Sequence, residues 1–167
     1  MSNPRVILAI DPGNSESGWA LIKMPEFVLL EFGKDENNKL LGFLPYLVAA
    51  DHVCIEMVAS YGMAVGKDVF ETCVWIGRFI QAIHPKEYTY IYRKDEKMTL
   101  CGSMKAKDSN IRQALIDRYA TFDFKSGKGT KKNPDTFYGV SKDVWQAIAV
   151  GVTYYEKEKE TWEKEKS

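Results

Sequence analysis

The order in which two hydrophobic periodicities alternate along this 167-residue chain is its tightest constraint. Three short strand-like runs come before any helix: residues 5–10 (RVILAI), 18–22 (GWALI) and 26–32 (EFVLLEF). The first stops at Asp11-Pro12-Gly13 and Pro25 separates the other two, which predicts a three-strand meander with short connections. Residues 39–50 then carry Leu40, Leu41, Leu44, Leu47 and Val48 at helical spacing, interrupted by Pro45. A fourth strand (51–57, DHVCIEM), a helix over 67–83, a fifth strand over 88–92 and helices over 109–119 and 140–155 follow, with Ser109 and Ser141 as N-caps. Strands first, then alternating helices and strands, predict a layered α/β domain whose sheet is antiparallel at one side and parallel at the other.

With 45% hydrophobic residues the chain can bury a core without covalent staples, and its length fits one domain over 1–155. Residues 156–167 alternate Glu and Lys and read as a charged helical extension. The helix over 67–83 is apolar around much of its circumference, through Val69, Phe70, Cys73, Val74, Ile76, Phe79, Ile80 and Ile83. Both its faces need cover, one of them from another subunit. Cys54, Cys73 and Cys101 form no CxxC pair and only two histidines are present, which argues against a zinc site or a disulfide framework. No apolar run is long enough for a membrane span, and residues 1–10 do not resemble a secretory signal. The expectation is a cytoplasmic protein with no membrane partner and no small-molecule cofactor.

Three acids occupy equivalent places. Asp11 ends the first strand, Glu56 ends the fourth, and Asp143 lies in the first turn of the last helix. Strand ends in an open α/β sheet gather at one edge, where sites form. Each acid has an ordinary use taken singly: capping the turn before Pro12, pairing with a lysine, favouring a helix dipole. Ending runs as apolar as VILAI and HVCI, however, Asp11 and Glu56 are costly to desolvate without partners or metal. Cleavage of a phosphodiester by two Mg²⁺ ions needs such hard oxygen donors from several carboxylates.

These residues resemble a family. Ala9-Ile10-Asp11-Pro12-Gly13 with Ser17-Gly18-Trp19-Ala20 is similar to the first strand and turn of RuvC-type Holliday-junction resolvases, above all those encoded by phages of Gram-positive bacteria. Ile55-Glu56 before a long helix resembles that family's second acidic motif. Lys105-Ala106-Lys107-Asp108 resembles its basic loop, and Asp143-Val144-Trp145-Gln146-Ala147 its C-terminal motif. The resemblance implies an RNase H-like fold, a mixed five-stranded sheet with helices on both faces. It also implies a homodimer that binds a four-way DNA junction and nicks two strands symmetrically with two Mg²⁺ or Mn²⁺ ions. Asp11, Glu56 and Asp143 would then be catalytic metal ligands. Where the family commonly has a fourth acid this chain has Gln146. Either Gln146 is a weaker ligand, or water or Asp108 substitutes, or the second metal binds poorly. A relative acting on flaps, forks or ribosomal RNA precursors, and a catalytically weak junction binder, remain alternatives.

The net charge of +0 hides an asymmetry. Between residues 86 and 142, thirteen Lys and Arg face seven Asp and Glu, so this stretch carries +6 and the remainder −6. Lys125, Lys128, Lys131 and Lys132 lie in a Gly-containing loop over 122–136, and Lys105 and Lys107 precede a helix N-terminus. Both are placed to contact phosphates without reading bases. Tyr61, the first aromatic after Glu56, is the candidate for stacking at a junction centre.

Overall fold

The structure, a computed structural model, describes residues 5–165. Residues 1–4 of the expected domain and 166–167 of the expected extension lie outside the described residues. Five strands, β1 (Arg5–Asp11), β2 (Glu16–Met24), β3 (Val28–Glu36), β4 (His52–Met57) and β5 (Tyr88–Tyr92), form one sheet in the order β3-β2-β1-β4-β5. The β3-β2-β1 side is antiparallel, and β1-β4-β5 is parallel. This is the expected mixed five-stranded RNase H-like sheet.

Alternation along β1 divides its side chains between two cores. Ile7 and Ala9 join Ala20, Ile22, Cys54 and Ile91 beneath helices α4 (Asp108–Tyr119) and α5 (Lys142–Lys164). Leu8 and Ile10 join Trp19, Val53 and Ile55 beneath α1 (Asn37–Leu47) and α2 (Lys67–Ile83). Because β1 and β4 are covered on both faces, they read as continuous apolar runs rather than as alternating ones.

α5 can lie against the sheet because glycines open two close approaches. A Cβ on Gly151 would come within 3.1 Å of the Ala9 Cβ and 2.8 Å of Ile22. A Cβ on Gly18 would stand 2.4 Å from the backbone oxygen of Asp143, a contact that only a backbone shift relieves. Gly18 is also the β2 partner of Asp11, so the first turn of α5 sits directly over the end of β1.

Several local expectations change. α3 (Arg93–Glu96) and a π-helical turn over Lys97–Cys101 follow β5, where the sequence showed no element. Four helical residues and a π turn leave no 3.6-residue repeat to detect. β2 and β3 are longer than predicted; β3 is an edge strand whose Glu31, Lys34 and Asp35 masked its extent. Ser109 is not a cap: α4 begins one residue earlier and Asn110 accepts the Lys107 N–H at 2.8 Å. Ser141 stands at the N-cap of α5 without a side-chain cap bond. α5 itself continues unbroken to Lys164, and its Trp162 packs on Tyr154 and Tyr155 with the Arg5 guanidinium 4.4 Å from its ring. The three cysteines are free, and among the described residues no helix is long and apolar enough to cross a membrane.

Gly18→Ala should destabilise the fold by about 1–3 kcal/mol, the usual cost of overpacking a close contact. Urea denaturation read by tryptophan fluorescence checks this.

Candidate metal and nucleic-acid site

Strand parity aims the first two acids at one place. Asp11 follows Ala9 by two residues and Glu56 follows Cys54 by two, so both side chains emerge on the face covered by α4 and α5. Ile10 pairs with Ile55 in parallel register, which puts the next residues of the two strands side by side at the roughly 4.8 Å spacing of a sheet. The turn after Asp11 is locked by buried Asn37 at the start of α1. Its Nδ2 donates to the Gly13 carbonyl at 2.9 Å, its Oδ1 accepts from Ser17 Oγ at 2.6 Å, and Ser17 Oγ accepts the Gly13 N–H at 3.1 Å. Asp143 arrives from above, seated over Gly18 by the contact that placed α5. A cleft of about 450 Å³ opens over the three acids and is walled by Tyr61, Arg93, Asp108, Arg112 and Lys142.

The acids feel one another. Burial, a hydrogen bond with Glu56 and the charges of Glu56 and Asp143 push the Asp11 carboxyl far above the ordinary carboxylate range, against a smaller opposing pull from Arg93. Asp143 takes its own cation: Lys34 of β3 reaches over Gly18 to its Oδ2 at 2.6 Å and also holds Glu16 at 3.2 Å. Among the described residues, no three carboxylates, histidines or cysteines converge tightly enough to hold one ion as the side chains stand. Asp143 is turned to Lys34 in this arrangement. The donor set is nonetheless all hard oxygen, which suits Mg²⁺ or Mn²⁺ rather than a softer ion.

Gln146 lies one turn beyond Asp143 on α5, and its amide nitrogen donates to Glu56 Oε1 at 3.1 Å and to Glu96 Oε1 at 2.5 Å. The structure therefore presents the Gln146 donor, not its carbonyl, to the acids. Glu96, the last residue of α3, is fully buried against the cleft residues Gln146 and Arg93, and sequence reasoning missed it. Burial and the neighbouring Glu56 push its carboxyl far above the usual range, with Arg93 opposing. Arg93 Nη1 lies 3.2 Å from Glu96 Oε1 while its Nη2 pairs with Asp108. Asp108, the sequence candidate for the absent fourth acid, is thus engaged at the rim by arginine. A glutamate inside the charged string RKDEK carries no sequence signal of burial; only the fold brings it inward.

Basic groups fall into two sets. Lys105 and Lys107 line a second groove with Arg93 and Lys97, joined to the acidic cleft through the shared Arg93 and Asp108. Lys125, Lys128, Lys131 and Lys132 do not line the cleft; they ride on a loop that runs through Val140 into Lys142 and Asp143. That loop is knotted rather than slack. Asp135 accepts the backbone N–H groups of Thr121, Phe122, Asp123 and Thr136, and Asp123 accepts those of Lys125, Ser126 and Gly129. Both loop acids are spent on backbone, which leaves the lysines outward as a fixed positive surface. Tyr61 is exposed at the cleft wall in a left-handed conformation, φ +50°, followed by left-handed Gly62 and exposed Met63.

No protein-family model matches the sequence, and neither does any curated protein. Solved structures do. RuvC of Thermus thermophilus in complex with a Holliday junction substrate superposes with a TM-score of 0.72 at 12% identity, covering 95% of this chain and 97% of that one. A second Thermus thermophilus RuvC structure gives 0.68 at 14% identity, covering 93% and 96%. At these identities the likeness establishes the fold, over essentially the full length of both chains.

In chelator, the protein should lose stability as pH rises from about 5 to about 9. Asp11 and Glu96 have raised pKa values in the folded chain, so across that window the folded state holds protons the unfolded state has already released. Urea midpoints at several pH values check the slope. It should flatten in an Asp11→Asn/Glu96→Gln double variant.

Proposed function

We propose that this chain is a divalent-metal-dependent endonuclease for branched DNA that, as a homodimer, nicks a four-way junction symmetrically in the cytoplasm of a bacterium or phage-infected host. The observation that carries the reading is the set Asp11, Glu56 and Asp143 at the floor of one cleft with basic walls. The full-length likeness to a RuvC solved with a Holliday junction supports branched DNA as the substrate class.

Asp11, Glu56 and Asp143 would hold the Mg²⁺ or Mn²⁺ ions. Bound there, such ions supply an activated water and neutralise charge developing on phosphate. The chain's own residues do the rest. Lys34 holds Asp143 in reserve at its Oδ2, and the Asn37 network fixes the turn that carries Asp11. Arg112 and Lys142 flank the cleft, where a scissile phosphate would lie against the N-terminal turns of α4 and α5. Lys105, Lys107 and the Lys125, Lys128, Lys131 and Lys132 surface would follow backbone on either side. Tyr61 overhangs the cleft as the stacking group at an opened junction centre. The outward stripe of α2, with Phe70 and Val74 more than half exposed, is the proposed dimer seam.

Labelled four-way junction, flap and duplex DNA, each with Mg²⁺, Mn²⁺ or chelator, test the reading. Paired nicks in the junction, dependent on metal, are expected. Asp11→Asn should lower cleavage by more than about a hundredfold, beyond the range of a supporting residue, and leave junction binding intact. Tyr61→Ala should reduce cleavage of the junction more than that of a flap. Tight junction binding with no product under any metal would instead identify a non-cleaving binder.

A further inference from the structure

We propose that Glu96 is the fourth carboxylate of this metal site, moved to a different element from the one where the RuvC-like motif carries it, with Gln146 as its positioning residue. The inference rests on the nuclease reading above and deepens it.

Glu96 is fully buried, and its two oxygens have different surroundings. Oε1 accepts from Gln146 Nε2 at 2.5 Å and lies 3.2 Å from Arg93 Nη1. Oε2 has no hydrogen-bond donor within reach although it is shut off from solvent. A buried carboxylate oxygen left without a partner is expensive, and natural folds keep few of them. Here that oxygen belongs to a residue whose other oxygen shares one amide with Glu56, itself a candidate ligand. Among the described residues the cation paired with Glu96 is Arg93, and it is divided with Asp108. A divalent cation beside Glu56 would satisfy the orphan oxygen and take the place of the proton that the raised pKa of Glu96 otherwise favours.

The backbone at this point is also specialised. Glu96 ends α3 where the chain enters the π-helical turn Lys97–Cys101, which closes on left-handed Gly102. Single π turns are rare and frequently mark functional sites. Glu96 is buried just before the turn, while Lys97 at the next position joins the basic groove. A carboxylate three residues after Asp143 would compete with Glu96 for the same space and add a like charge. An amide there donates to two carboxylates instead. Gln146 is thus the complement of Glu96, not the loss of a ligand.

Mn²⁺ binding at fixed pH separates this from a purely structural Glu96. Free Mn²⁺ is counted by electron paramagnetic resonance against wild type, Glu96→Gln and Glu96→Gln/Gln146→Asp, with melting curves confirming that each is folded. Glu96→Gln should weaken one Mn²⁺ site by about tenfold or more, and the double variant should recover much of it by returning the acid to position 146. Wild-type Mn²⁺ binding in Glu96→Gln would overturn the role of Glu96 and leave the nuclease reading standing. Absence of Mn²⁺ binding in the wild type itself would overturn both. Should Glu96→Gln fail to fold, Glu96→Asp decides, because it keeps the charge and retracts the oxygens by one methylene. Weakened binding supports the assignment and unchanged binding overturns it.

Discussion

Two carboxylates end neighbouring parallel strands on the same face of the sheet, and the surrounding structure answers the repulsion between them. Asp11 and Glu56 are brought together by the β1-β4 register, which is fixed by apolar residues that have no part in the chemistry. Buried like charges at sheet spacing are tolerated only with protons, cations or strong donors beside them. This chain supplies all three: a raised Asp11 pKa that favours a proton there, Arg93 as a nearby cation, and the amide of Gln146 as a donor to Glu56. Each answer is one that a divalent ion could replace.

Packing and charge are coupled at α5. Gly151 and Gly18 let the helix approach the sheet until its first turn lies over Asp11. That approach delivers Asp143 and Gln146 to the acids on successive turns, and it keeps the positive end of the helix at the cleft. The loop before α5 is tied by Asp123 and Asp135, so the lysines it carries stand in a defined relation to the same helix end. Stability and site geometry therefore share their determinants, and a change at Gly18 would be felt in both.

Much of this was legible in the sequence because central strands and long helices write strong periodicities. The runs ending in Asp11 and Glu56 gave the parallel pair, and residues 67–83 and 88–92 match α2 and β5 to the residue. Short or irregular elements write none. α3 and the π turn were missed for that reason, and with them Glu96, whose neighbours Arg93, Lys94, Asp95 and Lys97 make it look like solvated surface. The lysine loop was legible in composition but not in order, because its rigidity comes from side-chain-to-backbone bonds between Asp123, Asp135 and residues up to fourteen positions away. Gln146, a candidate weaker ligand in the sequence, showed its donor role only once its amide was seen between two carboxylates.

A crystal structure of the protein soaked with Mn²⁺, with anomalous scattering collected for manganese, tests the central claim most directly. The account predicts an anomalous peak in the cleft bonded to Asp11, Glu56 and Asp143, with Asp143 released from Lys34. A cleft without manganese, Asp143 still paired to Lys34 at saturating Mn²⁺, would contradict it.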